Sequence, residues 1–274
     1  MTTGPESGAG ELRPAQVRGM FDGIAPIYDA LNTAMTAGLH HRWRGRAADL
    51  ARVRPGARVL DVATGTGDLA IELAGRVSPG GEVLGCDFSE VMLSLARSKA
   101  SAVPRPGDAT SPPGAARVTP RFEWADALRL PYADDSFDAA TVGFGVRNFA
   151  DLSRGLAEMA RVVRPGGRVV ILEMTTPTKF PLSLFFGLWF DRIVPVLGGL
   201  AQSLTAAASR IRGRGAGGEA IADAYAYLPA SVKRFPAPAA LAAELERAGL
   251  CEITYVLTAG GIVAIHAGTV PGPV

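Results

Sequence analysis

The segment Asp61-Val62-Ala63-Thr64-Gly65-Thr66-Gly67-Asp68 follows the apolar run Ala57-Arg58-Val59-Leu60 and leads into Leu69-Ala70-Ile71-Glu72-Leu73. An apolar strand, a glycine-rich turn and a helix start in that order build a pocket for a nucleotide. Gly65 and Gly67 carry no Cβ, so the backbone can turn tightly and bring its amides close to a ligand. The next apolar run, Glu82-Val83-Leu84-Gly85-Cys86, ends in Asp87, whose carboxylate can accept hydrogen bonds from both hydroxyls of a ribose.

The glycines alone fit two ligands. Gly65-x-Gly67-x-x-Ala70 with Asp87 downstream also satisfies the dinucleotide fingerprint of nicotinamide enzymes. Three features favour S-adenosylmethionine. Asp61 stands at the carboxyl end of its strand, where its charge suits a cationic ammonium and would repel a pyrophosphate. Asp126, in Trp124-Ala125-Asp126-Ala127, follows another short strand at a position that can face an adenine amino group. The hydride-transfer constellation Tyr-x-x-x-Lys is missing, since the five tyrosines have Asn, Ser, Pro, Ser or Ala four residues later.

Composition bounds the rest. A chain of 274 residues, 48% hydrophobic and 20% charged, can bury one sizeable core. Its 28 basic and 26 acidic residues are spread along the chain, so no nucleic-acid footprint is expected. Cys86 and Cys251 form no motif, and neither a disulfide framework nor a metal site is expected. Residues 1–16 lack an apolar core and read as a disordered tail, not a secretory signal, which places the protein in the cytoplasm.

Alternating patterns of apolar strands and amphipathic helices predict an α/β fold, a doubly wound, Rossmann-like sheet forming a single domain over 17–271. Strands are expected near 58–63, 82–87, 121–125, 137–143 and 168–174, after a helical N-terminal region that runs to about Leu50. Helices are expected over Asp68–Arg76, Ser89–Ala100 and Asp151–Val163, with Arg164-Pro165-Gly166-Gly167 as a terminator. Cys251–Leu257 and Ile262–Ala267 read as an antiparallel C-terminal hairpin. Ala102–Pro120, with five prolines and two glycines, reads as a surface insertion.

These residues resemble a known family along nearly the whole chain, from about Val17 to Gly268. The resemblance is carried by Met20-Phe21-Asp22-Gly23-Ile24-Ala25-Pro26-Ile27-Tyr28-Asp29, the glycine loop, Gly143-Phe144-Gly145-Val146-Arg147-Asn148, Arg161-Val162-Val163-Arg164-Pro165-Gly166-Gly167, Ala226-Tyr227-Leu228-Pro229-Ala230-Ser231-Val232 and Leu257-Thr258-Ala259-Gly260-Gly261-Ile262-Val263-Ala264-Ile265-His266. The family is that of the class I S-adenosylmethionine-dependent methyltransferases, and within it the demethylmenaquinone and 2-polyprenyl-6-methoxybenzoquinol C-methyltransferases. Phe-Gly-x-Arg-Asn and the ending from Thr258 through Gly260-Gly261 and Ala264 to His266 are its most specific elements.

The resemblance implies S-adenosyl-L-methionine as cofactor, held by Thr66, Asp87, Asp126 and Ala127, with Tyr28, Asp61, Gly65 and Gly67 completing the pocket. Gly143 stands where the family usually has a serine, so only its backbone is expected to take part. The acceptor implied is a lipophilic quinol, demethylmenaquinol first, with a phenolic or polyketide natural product as the alternative acceptor and a non-catalytic cofactor-binding subunit as the alternative of another class. Methylation at a ring carbon requires that a neighbouring hydroxyl lose its proton. Arg147 is the candidate for stabilising the resulting phenolate, and Asn148 for binding the second ring oxygen. His266 is the alternative base. Tyr28 and Phe21 can offer ring faces to a sulfonium, a contact worth about 0.5–2 kcal/mol. The apolar stretch Lys179–Ala208 falls in a lid region of about 177–236 and reads as a cover over a polyprenyl tail, or as a helix packed on the core. Asp191 and Arg192 interrupt it too early for a bilayer span. Arg210, Arg212 and Arg214 beside it suit lipid phosphates, which would put the protein at the inner face of the membrane; pairing into a homodimer is a further expectation.

Overall fold

The computed structural model describes residues 13–103, 117–188 and 227–272. Most of the expected tail, the centre of the 102–120 insertion, the segment around 203–218 and much of the lid lie outside the described residues.

Seven strands form one sheet: β1 (Arg58–Val62), β2 (Glu82–Asp87), β3 (Arg121–Trp124), β4 (Phe137–Gly143), β5 (Val163–Met174), β6 (Cys251–Thr258) and β7 (Val263–Thr269), in the order β3-β2-β1-β4-β5-β7-β6. The first five run parallel, and β7 lies antiparallel to both β5 and β6. This is the doubly wound sheet with a C-terminal hairpin that the alternating pattern predicts. From β1 the chain winds outward through β2 to β3, then returns to place β4 on the other side of β1. The crevice beyond the carboxyl ends of β1 and β4 is therefore where a ligand binds in such sheets.

Side chains alternate along each strand, so Val59 and Leu60 enter opposite cores. One core sits under α3 (Leu39–Leu50), α4 (Asp68–Val77) and α5 (Glu90–Ala102), where Leu73, Leu93, Val170, Leu172 and Ile265 are buried. The other sits under α6 (Leu152–Val162) and α8 (Pro238–Arg247), where Leu60, Val62, Leu156, Met159, Ile171 and Leu245 are buried. Two-sided burial explains why the central strands read as continuous apolar runs.

Side chains cap α5 and α6 where they start. Ser89 Oγ accepts from Met92 N–H at 3.1 Å, and Asp151 Oδ1 accepts from Arg154 N–H at 2.9 Å. At the N-terminus, α1 (Pro14–Ile24) begins inside the segment expected as tail. Pro14 occupies the first turn, and the Gln16 side chain accepts from Arg13 N–H at 2.9 Å, which starts the helix early. A 3₁₀ turn, Ala25–Ile27, leads into α2 (Tyr28–Thr36).

The expected terminator Arg164-Pro165-Gly166-Gly167 is instead a bulge within β5. Val163 pairs with Phe137, Arg168 pairs with Ala139, and Gly166 N–H donates to the Val270 carbonyl at 2.8 Å. The positive φ of Gly166, 78°, makes room for the extra residues.

Candidate active site

Two cavities open at the carboxyl ends of β1 and β4. The first, of about 250 Å³, is lined by the loop from Asp61 to Thr66, by Asp87, and by the stretch Trp124–Leu128. The second, of about 400 Å³, is mostly apolar and lies between α1, α2, α3 and the short helix α7 (Leu182–Leu188). Phe21, Tyr28, Arg44 and Phe144 line both and form their common wall.

In the first cavity, Asp61 is buried at the end of β1. Its two oxygens accept from the Thr64 and Thr141 hydroxyls, each at 2.6 Å. Burial pushes its carboxyl up to about 6, although both hydroxyls favour the charged form. Asp87, at the end of β2, accepts from Gly65 N–H and Ser89 N–H, both at 2.9 Å. Burial raises its carboxyl too, against those backbone donors. Asp126 accepts from Leu128 N–H at 2.9 Å and lines the same cavity with Ala127 and Gly143.

The two turn glycines serve different ends. A Cβ on Gly65 would meet nothing within 4 Å, so that side of the loop is open to a ligand. Gly67 does not line the cavity. It holds a φ of 81° at the N-cap of α4, and a Cβ there would come within 2.8 Å of the Phe122 ring. Its glycine is required by the fold.

A closed ring of polar contacts ties the N-terminal helices to this loop. Thr66 Oγ1 donates to Asp29 at 2.7 Å, and Lys99 Nζ reaches Thr66 at 3.0 Å, Asp68 at 2.6 Å and also Asp29. Arg44 pairs with Asp68 at 3.3 Å and also contacts His40, which meets Thr33 at 3.2 Å. Thr33 returns to the Asp29 carbonyl at 2.9 Å. Burial, then Arg44 and His41, lower His40 to about 4, so it is neutral. Burial alone would raise the Asp68 carboxyl, but Arg44 and Lys99 hold it below its ordinary value. In addition, Asp22 of α1 takes the Ser89 hydroxyl. The wall between the cavities is thereby fastened to the N-termini of α4 and α5.

Arg147 lines the apolar cavity and is buried. Its Nη1 donates to Glu173 Oε1 at 2.6 Å and to the Phe144 carbonyl at 2.8 Å, while its buried Nε–H has no partner. Burial alone would lower this guanidinium's pKa, but Glu173 and the nearby tyrosines raise it, so it stays charged. Asn148 lines the first cavity instead, and its Oδ1 accepts from Tyr227 O–H at 3.1 Å. Because both residues lie in the 3₁₀ turn Val146–Asn148, their side chains point about 120° apart, and each faces its own cavity.

His266 is not brought to the site. It is buried on β7, its Nε2 lies 2.8 Å from the Pro238 carbonyl at the start of α8, and its ring stacks on Tyr255. It lines neither cavity, and burial lowers its pKa. Sequence reasoning missed Glu173, Arg44, His40, Phe144 and Trp124. Trp124 is half exposed at the end of β3 and lines the first cavity. No group of His, Cys, Asp and Glu among the described residues is arranged to hold a metal ion.

A doubly wound sheet ending in an antiparallel hairpin, with acids at the tips of β1 and β2 around a glycine turn, defines a class I methyltransferase. Its fold matches a SAM-dependent methyltransferase of Aquifex aeolicus, with a TM-score of 0.50, 16% identity and coverage of 95% of this chain and 100% of that one. It also matches the [4+2]-cyclase SpnF, with a TM-score of 0.57, 20% identity and coverage of 97% and 100%. The sequence matches the ubiE/COQ5 methyltransferase family over residues 9–209 and 215–270. It is 44% identical to a demethylmenaquinone methyltransferase of Thermus thermophilus, over 92% of this chain and 100% of the relative. A demethylmenaquinone methyltransferase of Deinococcus radiodurans is 43% identical over 93% of each chain, and a ubiquinone/menaquinone biosynthesis C-methyltransferase of Geobacter sulfurreducens is 38% identical over 92% and 88%. The chain belongs to the ubiE/COQ5 methyltransferase family. Its cofactor is S-adenosylmethionine, as the resemblance implies.

Proposed function

We propose that the chain methylates a ring carbon of a reduced isoprenoid quinone precursor, demethylmenaquinol, with the cofactor in the first cavity and the quinol in the second. The observation that carries this reading is the shared wall: an acid-lined cavity and an apolar one meet at Phe21, Tyr28, Arg44 and Phe144. When bound, S-adenosylmethionine supplies an electrophilic methyl group.

The residues of the first cavity suit that cofactor. Asp87 receives the ribose hydroxyls, Asp61 the ammonium, and Asp126 with Ala127 the adenine edge. Gly65 leaves the approach open, Gly67 shapes the turn, Thr66 holds the loop to α2, and Gly143 contributes backbone only. Tyr28 presents its ring at the wall, where a cation is attracted to it.

In the second cavity the free donors of Arg147 stabilise the phenolate that forms when the ring hydroxyl passes its proton to water. A guanidinium stays protonated, so Arg147 acts by charge and orientation and not as the base. Asn148 lines the first cavity and its Oδ1 accepts from Tyr227 O–H, so with the quinol in the second cavity its part is to hold Tyr227 at the wall. His266 supports α8 and takes no part in the chemistry.

The tail leaves the cavity past α7. Phe186 points inward, while Phe180, Leu184 and Leu188 are exposed around it. No helix among the described residues is long and apolar enough to cross a membrane. The exposed rim instead rests on a lipid surface and collects the quinol there.

Mass spectrometry of cellular quinones in a deletion strain tests the function. Accumulation of the demethylated quinone is expected. An unchanged quinone pool with loss of another methylated phenol would overturn the reading.

A further inference from the structure

An acid in a buried apolar strand is costly unless it is paired. Glu173 is such an acid, 1% exposed at the end of the run Val169–Leu172. It lines neither cavity. Its Oε1 accepts from Arg147 Nη1 at 2.6 Å and from Met174 N–H at 2.7 Å, and its Oε2 lies 3.4 Å from Arg147 N. The carboxylate is therefore anchored to the sheet on one side and to the guanidinium on the other.

On the guanidinium, both protons of Nη1 are used, one by Glu173 and one by the Phe144 carbonyl. Among the described residues nothing accepts from Nε or Nη2, and Nε is buried. A planar fork held by two acceptors at one corner cannot swing, so its remaining donors keep one direction. The Phe144 carbonyl that shares Nη1 belongs to a residue whose own N–H donates to the Leu172 carbonyl at 2.7 Å, which ties the second anchor to the sheet as well.

We propose that Glu173 is the positioning residue of the methyl transfer: it holds Arg147 by Nη1 so that the free edge of the guanidinium meets the developing phenolate. The proposal rests on the reading of Arg147 given above. Its charge also offsets that of the buried guanidinium, which suits an uncharged quinol beside it. What catalysis requires of Glu173 is reach. A displacement of about 1 Å in a reacting arrangement is enough to cost on the order of 100-fold in rate.

Length and charge can be separated. Glu173→Gln keeps the reach and an accepting oxygen but loses the charge, whereas Glu173→Asp keeps the charge and withdraws the oxygen by one methylene. The measurement is kcat, KM for each substrate and cofactor Kd, with reduced short-tailed demethylmenaquinol as acceptor and melting curves for each variant. Glu173→Gln is expected within about 10-fold of the parent kcat, and Glu173→Asp about 100-fold below it, both with unchanged cofactor Kd. The reverse order would overturn the proposal. Parent kcat in both variants would overturn it too, as would equal losses of kcat that follow loss of melting temperature.

Arg147→Met runs beside them. If it transfers methyl at the parent rate, the reading of Arg147 fails and Glu173 has nothing to position. If it is slow while both Glu173 variants are at parent rate, only the positioning role falls. Where Glu173→Asp does not fold, the double variant Arg147→Met/Glu173→Leu replaces the ion pair with apolar groups and restores a folded baseline. Adding Glu173→Leu to Arg147→Met should then cost no further rate, and a further loss of 10-fold or more would contradict the proposal.

Discussion

Thr141 and Asp61 stand opposite each other on β4 and β1, and the threonine hydroxyl donates to the buried carboxylate at 2.6 Å. This contact crosses the one place where the strand order reverses, so the carboxylate proposed to receive the cofactor's ammonium is built into the topology itself. The free protein bears a cost for it. Burial raises the Asp61 carboxyl from 3.8 to about 6, so its contribution to stability is greatest below the lower value and is lost as the pH rises through the higher one.

Asp61→Asn should therefore stabilise the free protein at pH 8, by up to roughly 3 kcal/mol, and the gain should vanish toward pH 4. The same variant should lose cofactor affinity. In the parent, affinity should fall as the pH drops through about 6, where the carboxylate takes up its proton. Melting curves and calorimetric titrations across that range check both signs. A destabilised Asp61→Asn with intact affinity would show a structural acid only.

The glycine turn makes a second comparison. Gly65 and Gly67 both hold positive φ, so alanine at either position costs about 1–2 kcal/mol in backbone strain. At Gly67 the added methyl also displaces the Phe122 ring, an overpacking cost of about 1–3 kcal/mol more. Gly67→Ala should thus be the less stable variant in chemical denaturation. Gly65→Ala, whose methyl enters open space in the cavity, should show the larger loss of cofactor affinity relative to its loss of stability. Equal effects of the two substitutions on both quantities would mean that the loop does not face the ligand as proposed.

Much of this architecture is legible in the sequence because local rules agree with the global fold. The apolar runs that become β1, β2 and β4 end within about a residue of their expected limits, since each is bounded by a turn glycine, an acid or a cap. Ser89 and Asp151 announce their helices by side-chain chemistry alone. The bulge at Pro165-Gly166-Gly167 misleads because proline and glycine end helices and interrupt strands with the same residues.

The site is less legible where it depends on distant partners. Glu173 carries a signal, an acid within a buried strand, but only the fold reveals that its partner is Arg147, 26 residues earlier. The ring through Asp29, Thr66, Lys99, Asp68, Arg44, His40 and Thr33 joins four helices and a loop, and no spacing in the chain foretells it. Arg147 and Asn148 look like one unit as neighbours in a motif, yet the tight turn sends them to separate cavities. His266 belongs to an equally specific motif, and its imidazole is spent on the Pro238 carbonyl.

The central claim is that Arg147 promotes methyl transfer to a quinol while His266 does not. Single-turnover transfer of labelled methyl from S-adenosylmethionine to reduced demethylmenaquinol measures it most directly, with the parent, Arg147→Lys and His266→Ala each checked for folding by thermal denaturation. Label should appear on a ring carbon of the parent's product. The rate should fall by about 100-fold or more in Arg147→Lys, whose point charge cannot reproduce the planar fork, and should stay near parent in folded His266→Ala. Arg147→Lys at the parent rate, or a collapse confined to His266→Ala, would contradict the claim.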